Sequence, residues 1–228
     1  MAQVSGNVIG NLSGRLGNLS ARTVNGKTIL AARPSSYTPS QEPAVLETRQ
    51  KFSVTATLAK HILSLGSLSE IWKKSKEVGL SVFNSVFRAN FQFVSTIKPT
   101  VDNIITPGGF ALPVTAAAIE ADKITAAISA LNTTAIFDAD EVNLSANALV
   151  IYSNPVNPTD PDFQIVALNK EVSGFNFAQS YNLQIDYNIV QEGIAAKYQN
   201  SVLLLAVASK DAAGKVVQNS STYSKSSV

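Results

Sequence analysis

The feature that most constrains the fold is the pattern of residues 91–228, where short apolar or β-branched runs alternate with turn-forming clusters. The runs are Phe91–Ile97, Ile124–Leu131, Ala148–Tyr152, Phe163–Leu168, Tyr181–Tyr187 and Ser201–Ala208. Clusters such as Pro107-Gly108-Gly109 and Asp211–Gly214 separate them. Runs of this length, separated by such turn-forming clusters, are typical of two packed antiparallel sheets. We therefore predict a β-sandwich over residues 91–228.

Residues 38–90 show a helical pattern instead. Ser40 can cap a helix whose first turn tolerates Pro43, because the first helical N–H groups have no partner within the helix. The apolar positions that recur at helical spacing are Val45, Phe52, Ala56, Ala59 and Leu63. Gly66 ends this helix, and Ser69-Glu70 begins a second one that carries Ile71 and Trp72. Residues 80–93 fit either a helical continuation or a first strand.

Residues 1–37, which we call the arm, are rich in glycine and contain one strong turn signal. Five of the 12 glycines lie before Pro34. Asn25-Gly26 predicts a two-residue hairpin turn because both residues tolerate positive φ. The flanking strands are predicted over Leu19–Val24 and Lys27–Ala32, with Pro34 ending the second. Such a ribbon and hairpin cannot bury its own apolar residues, so it needs a partner surface.

These three segments predict an α+β fold. It consists of an N-terminal β-hairpin arm (1–37), a helical segment with two helices (38–90) and an immunoglobulin-like β-sandwich domain (91–228). The chain has no cysteine, so the disulfide of antibody domains is absent and the likeness to them concerns architecture alone.

Charge is distributed unevenly. The formal net charge of +2 is too small to indicate nucleic acid as the main partner. Residues 1–80 carry ten Lys and Arg against four Asp and Glu, whereas residues 81–160 carry three against seven. A basic N-terminal part and a more acidic sandwich could dock head to tail on neighbouring copies. The alternative is an ordinary uneven surface.

The side chains available for catalysis are few. Without cysteine there is no thiolate nucleophile or thiolate metal site, and the single histidine, His61, is expected on a helix surface or at an interface. Gly26-Lys27-Thr28 ends like a phosphate-binding loop, but Ala21 stands where that loop needs glycine. The composition therefore predicts a protein that is not an enzyme and binds no cofactor and no small-molecule substrate.

Two acidic clusters are candidate calcium sites. One contains Asp138, Asp140 and Glu141, and the other contains Asp160 and Asp162. Neither has the ligand order or the glycine of an EF-hand loop, so a solvated acidic loop is the alternative.

No membrane span or secretory signal is predicted. Met1–Gly10 lacks the basic residues and the long apolar run of a signal peptide. Val202–Ala208 is far shorter than the ~20 residues that cross a bilayer and fits a buried strand.

The N-terminal residues also carry a family resemblance. The motif Gly6-x-x-x-Gly10-x-x-Ser13-Gly14-Arg15-x-Gly17-Asn18 is followed by Asn25-Gly26-Lys27 and Arg33-Pro34. It resembles a family of similar length, without an assigned function, from Bacteroidota and their phages. Thr38-x-x-Gln41 and Arg49-x-x-Phe52, which lead into a helix, resemble a pattern in phage-encoded structural proteins. The resemblance implies no activity and no catalytic residues.

Composition and resemblance together favour a structural subunit of a tailed-phage virion, such as a neck, tail-ring or capsid-associated protein. Its partners would be copies of itself and other virion proteins, with no specific nucleic acid. The expected mechanism is pairing of the arm with an exposed sheet edge of a neighbour. The expected interface residues are Leu12, Leu16, Leu19, Arg22, Ile29 and Arg33. Phe52 and Trp72 are expected to anchor the helices on the sandwich.

Two other functions remain open from the sequence. The first is a bacterial immunoglobulin-like module that binds protein or carbohydrate through an aromatic groove. The second is a small enzyme that uses Asp and Glu.

Overall fold

A computed structural model describes residues 2–4, 13–24, 26–34, 36 and 38–227. The chain divides into two compact units, residues 1–45 and 46–228. The helical residues 46–90 and the strands that follow them therefore belong to one compact unit. Helices and antiparallel sheets occur together, which confirms the α+β class.

The arm forms a four-stranded antiparallel sheet. Its strands are β1 (Ala2–Val4), β2 (Gly14–Leu16), β3 (Leu19–Val24) and β4 (Lys27–Ala32), in the order β1-β4-β3-β2. The predicted hairpin is confirmed with the predicted strand bounds, and Val24 pairs directly with Lys27. Gly26 has a φ of 74°, the conformation that this turn requires of it. Asn25 lies outside the described residues.

Three helices follow the arm. They are α1 (Pro43–Ser64), α2 (Gly66–Ser75) and α3 (Val82–Asn90). Pro43 is the first residue of α1, where its missing N–H costs nothing. α1 ends at Ser64, and Gly66, which was expected to end it, is the first residue of α2. The second helix therefore begins three residues before the predicted start at Ser69. Ser81 caps α3 by accepting a hydrogen bond from the Asn84 N–H at 3.1 Å, so residues 82–90 are helical and the strand alternative is wrong there.

The buried stripe of α1 differs from the predicted one. Its buried residues are Val54, Thr55, Leu58, Ala59 and Ile62. Phe52, which the spacing placed in the stripe, is 56% exposed. Apolar residues occur on more than one side of this helix, so spacing alone did not determine which side packs inward.

Residues 91–113 form turns and bends instead of the strand predicted over Phe91–Ile97. Ser95 closes one turn, because its hydroxyl donates to the Lys98 carbonyl at 2.8 Å and accepts from the Lys98 N–H at 2.9 Å. The side-chain oxygen of the buried Asn90 accepts a hydrogen bond from the Ile104 N–H at 2.9 Å. Side chain–backbone bonds of this kind compete with pairing in a sheet.

The remaining residues form two antiparallel sheets. Their strands are β5 (Val114–Ile119), β6 (Lys123–Ile128), β7 (Glu141–Pro155), β8 (Phe163–Ser173), β9 (Tyr181–Asp186), β10 (Tyr198–Asp211), β11 (Val216–Asn219) and β12 (Tyr223–Ser227). A 3₁₀ turn (Leu131–Thr133) precedes β7, and α4 (Ile189–Ala195) precedes β10. One sheet has the order β5-β6-β9. The other has the order β11-β10-β7-β8, and β12 also pairs with β10.

The larger sheet is buried on both faces. An interior cluster joins it to the smaller sheet and includes Ile124, Leu144, Val150, Leu183 and Leu203. A helix-side cluster joins its other face to α1 and α2 and includes Leu58, Ile62, Trp72, Leu149 and Leu204. Alternate residues of β7 and β10 thus serve opposite cores, as the two-residue repeat of a strand requires. The result is three layers: helices, the larger sheet and the smaller sheet.

Candidate functional site

The arm sheet has two faces of different chemistry. Directly opposed residues of an antiparallel pair carry their side chains on the same face. The apolar arm face carries Leu19, Ala21, Thr23, Thr28, Leu30 and Ala32. The basic arm face carries Ser20, Arg22, Val24, Lys27, Ile29 and Ala31. The hydroxyl oxygens of Thr23 and Thr28 lie 3.1 Å apart, in agreement with this assignment.

Little of the arm sheet is buried. Among the described arm side chains only Ala21 (8% exposed) and Thr28 (5%) are buried, and both lie on the apolar arm face. Leu19 and Leu30 of the same face are half-buried. A small sheet without a substantial core is marginally stable on its own, so the apolar arm face needs further cover.

The expected interface residues do not form one surface. Leu19 lies on the apolar arm face, whereas Arg22 and Ile29 oppose each other on the basic arm face. The Arg33 N–H donates to the Asn18 carbonyl at 2.8 Å, beside the turn between β2 and β3. Leu16 pairs with Leu19 through the backbone. Leu12 lies outside the described residues.

Sequence reasoning also missed Leu30, which shares the apolar arm face with Leu19. Counting in steps of two from the Asn25-Gly26 turn would have separated the two faces, because the register of a hairpin is fixed by its turn.

The two expected anchors have different environments. Trp72 is 3% exposed within the helix-side cluster, and its indole N–H donates to the Ile105 carbonyl at 2.9 Å. Phe52 is 56% exposed and lies outside that cluster. The centroid of its ring lies 4.6 Å from that of Phe87 on α3. Phe52 therefore packs between helices and does not anchor them on the sheet.

The acidic cluster at residues 138–141 is engaged by donors of the chain itself. Glu141 is 4% exposed and accepts hydrogen bonds from the Gln218 amide at 2.8 Å, the Asp138 N–H at 2.9 Å and the Ser209 hydroxyl. In the second cluster, Asp160 forms an ion pair with Lys197 at 3.3 Å. Within the described part of the chain, no three His, Asp or Glu side chains converge in a way that could hold a metal ion.

The other titratable groups of interest serve packing. The Nδ1 atom of the half-buried His61 lies 2.9 Å from the Thr57 carbonyl one turn earlier in α1. The Tyr152 hydroxyl donates to the Tyr187 hydroxyl at 2.9 Å inside the sandwich. Burial raises the pKa of both phenols, so both stay protonated at neutral pH. We find no nucleophile paired with a base among these groups.

An aromatic hollow lies at one end of the sandwich. Phe137, Phe175 and Phe177 line it, and the polar residues around it include Asn132 and Asp138. The Phe137 and Phe177 rings stack with centroids 4.2 Å apart, and Phe175 meets Phe177 edge-on at 5.0 Å. The hollow has a volume of about 550 Å³, which is within the usual range of ligand sites.

Comparison with known proteins adds little. The sequence matches no protein-family model and no curated protein. A selenomethionine-labelled β-glucosidase from Kluyveromyces marxianus, known from a crystal structure, is similar at 12% identity with a TM-score of 0.21. The match covers 62% of this chain, which spans only 16% of the β-glucosidase chain. A likeness this weak supports no conclusion about fold or function.

In the described residues, no helix combines the length and the apolarity needed to cross a membrane.

Proposed function

We propose that the chain is a non-enzymatic structural subunit of a tailed-phage virion that assembles through its arm. The observation that carries the proposal is the low burial of the arm sheet. Only two of the described side chains in its four strands are buried. A sheet of this kind is stabilised when it packs on or pairs with another surface. Its partners are copies of the chain and other proteins of the particle, in a neck or tail ring or on the capsid.

The distribution of charge supports pairing between copies. The arm carries Arg15, Arg22, Lys27 and Arg33 but neither Asp nor Glu. The excess of acidic residues at 81–160 lies in the other compact unit. Opposite charges on donor and acceptor surfaces speed association and disfavour arm-to-arm contacts.

The order of the strands supports the finer assignment of the two sheets to an immunoglobulin-like sandwich. Ser220 joins β11 to β12 into one interrupted strand along β10, since its hydroxyl accepts from the Val207 N–H at 3.0 Å. If β11 and β12 are counted as one strand and the strands from β5 onward are numbered 1 to 7, the two sheets have the orders 1-2-5 and 4-3-6-7. Immunoglobulin-like strands are lettered A to G in chain order, and in one variant of the fold the fourth strand joins the sheet of strands C, F and G. The order observed here is that variant. One such fold serves many functions, so this order supports the architecture, and the structural role rests on the arm.

Removal of the arm tests the proposal. We expect the full chain to form a closed oligomer in native mass measurements. A chain shortened to residues 38–228 should keep its helical circular dichroism signal and its cooperative melting, because both hydrophobic clusters lie within residues 46–228. It should also be monomeric. A full chain that is monomeric, or a shortened chain that still assembles, would contradict the proposal.

A matched pair of variants tests which arm face is covered. Leu30→Asp places a charge on the apolar arm face and should dissociate the oligomer. Val24→Asp places the same charge on the basic arm face, where the side chain is 47% exposed, and should leave the oligomer intact. Equal effects of the two variants would mean that neither face is covered selectively.

The aromatic hollow favours a second candidate, a module that binds protein or carbohydrate. Phe137 and Phe175 are half-buried and Ile136 is 89% exposed, so aromatic and apolar surface is available there for stacking. This candidate predicts a soluble monomer that is stabilised thermally by an oligosaccharide. The Phe175→Ala variant should lose that stabilisation.

A further inference from the structure

The longest open strand edge in residues 46–228 belongs to β8. Its 11 residues pair with β7 from end to end without a shift of register. The strand ends its sheet, and no described strand pairs with its other side. Alternate N–H and C=O groups of such an edge point outward and form a template for another strand.

The other edges of the two sheets are short or obstructed. On the smaller sheet, the Lys225 ammonium reaches the Ala117 carbonyl of β5, and the Lys170 ammonium donates to the Gln184 carbonyl of β9 at 2.8 Å. On the larger sheet, the edge opposite β8 is divided between β11 and β12, with four and five residues. The edge of β8 contains neither proline nor a bulge, and its charged residues, Lys170 and Glu171, lie in its second half, so the first residues of β8 lack the devices that usually prevent edge pairing.

A hollow lies directly on this edge. Thr57 and His61 of α1 form one wall, Ile194 of α4 forms another, and Phe163, Gln164 and Ile165 of β8 form the floor. Its volume is about 440 Å³. Ile194 and the polar Thr57 and His61 would flank a strand that lay against the first residues of β8.

The hollow also contains an unsatisfied hydrogen-bond acceptor. The side-chain oxygen of Gln164 is buried, and it is the one such side-chain atom without a hydrogen-bond partner among the described residues. His61 lines the same hollow, and its Nδ1 atom lies 2.9 Å from the Thr57 carbonyl. A buried acceptor without a donor is destabilising, so this end of β8 carries a polar group that the described residues do not satisfy.

Charge favours the arm of a second copy as the occupant. The turn that leads into β8 carries Asp160 and Asp162, and Asp162 has no ion-pair partner among the described residues. Burial and then these two carboxylates raise the pKa of nearby Tyr198, a sign of negative potential beside the hollow. The arm, with four basic and no acidic side chains, complements this potential.

From these observations we infer that the outer edge of β8, with the hollow beside it, is the surface that accepts the arm of a second copy by strand addition. The inference rests on the proposed function, since it names the acceptor for the same arm. Each molecule then donates one arm and accepts one arm. The added strand extends the larger sheet between α1 and α4.

Disulfide trapping tests this contact, because the chain contains no cysteine. One full-length variant carries Ser13→Cys beside β2, and the other carries Thr57→Cys in the wall of the hollow. Oxidation of a mixture should yield the cross-linked heterodimer of the two variants. Ile136→Cys, at a side chain that is 89% exposed on another surface, is the control and should give little cross-linking with Ser13→Cys. Cross-linking of the Thr57→Cys variant with itself would instead indicate that two β8 edges pair, and would overturn the inference.

A blocking variant provides a second readout. Thr57→Arg fills the hollow, whereas Ser53→Arg places the same side chain at an exposed position one turn earlier in α1. We expect Thr57→Arg to weaken assembly by about tenfold or more, a change of about 1.4 kcal/mol, and Ser53→Arg to leave it unchanged, with equal melting temperatures. If the full chain assembles while Thr57→Arg has no effect and no heterodimer forms, the acceptor is wrong but the proposed function stands. If the full chain is monomeric, both fail.

Discussion

Replacing Trp72 with phenylalanine tests whether this side chain fixes α2 in the helix-side cluster. The indole N–H donates to the carbonyl of Ile105, a residue with no exposed surface. Phenylalanine removes the donor and leaves that carbonyl unsatisfied, which costs about 1–3 kcal/mol. The smaller ring also leaves a cavity of roughly 40 Å³, which at about 24 cal/mol per Å³ adds about 1 kcal/mol. We therefore expect the free energy of unfolding to fall by about 2–4 kcal/mol.

Urea unfolding followed by far-ultraviolet circular dichroism measures this loss, since the variant has no tryptophan fluorescence. In a chain of this size, 1 kcal/mol corresponds to about 2–4 °C in Tm, so thermal melting gives an independent value. Val78→Ala is the control, because Val78 is fully exposed and exposed substitutions usually change stability by less than about 0.5 kcal/mol. A loss below about 1 kcal/mol for Trp72→Phe, or an equal loss for Val78→Ala, would refute the reasoning.

Three further substitutions test local features of residues 46–228. Gly109→Ala should destabilise the protein by more than about 2 kcal/mol, because Gly109 has a φ of +126° and a Cβ would lie 2.0 Å from the Asn219 carbonyl oxygen. Gly193→Ala in α4, where a Cβ meets nothing within 4 Å, should raise the Tm slightly. Burial alone would raise the pKa of Glu171, but hydrogen bonds from Ser145 and Lys210 outweigh it, so the pKa lies below its ordinary value of 4.5. The stability that this lowered pKa contributes is present above 4.5 and lost as pH falls through the lowered pKa. Glu171→Gln should therefore be less stable than the parent near pH 7, and the difference should shrink as the pH falls below 4.5 in urea titrations; a constant difference would contradict the assignment.

The sequence predicted best where a local signal determines the structure. The Asn25-Gly26 turn gave both strands of the arm hairpin with the bounds observed, because a two-residue turn fixes the register of its strands. Of the later strands, β7, β8 and β10 were located but predicted too short, β6 and β9 were predicted to extend beyond their observed ends, and β5, β11 and β12 were not predicted. β7 extends from 141 to 155, whereas its apolar run covers only Ala148–Tyr152.

A buried polar network explains why β7 was predicted too short. Ser145 and Asn147 are fully buried on the side of β7 that faces the helices. The Ser145 hydroxyl bonds to the Ser67 hydroxyl at 2.8 Å, and the Asn169 amide donates to the Asn147 side chain at 3.0 Å. Polar residues with partners across the sheet are as compatible with burial as apolar ones, but the sequence does not reveal those partners.

α4 was missed although a signal for it was present. Asn188 and Gln191 form a capping box, in which the Gln191 N–H donates to the Asn188 side chain at 3.0 Å and the Asn188 N–H donates to the Gln191 side chain at 2.9 Å. An Asn followed three residues later by Gln is a readable start signal for a helix. No element was predicted between Tyr187 and Ser201.

The open edge of β8 could not be predicted from its sequence, because being an edge is a property of topology. Phe163–Leu168 is apolar in the manner of a central strand, and the helices and the smaller sheet do cover both of its faces. A strand that is buried on both faces but open along one side exposes backbone groups that water alone must satisfy. The arm has the converse property, since it is a sheet with edges and an apolar face but little core of its own.

A contact between arm and edge is heterologous, and such contacts either close into rings or continue as filaments. Since each chain carries one arm and one edge, a saturated assembly has as many contacts as subunits when it closes. Native mass spectra should then show one discrete multiple of 24.1 kDa that does not grow with protein concentration, whereas a continuous series of masses would mean that the contact does not close.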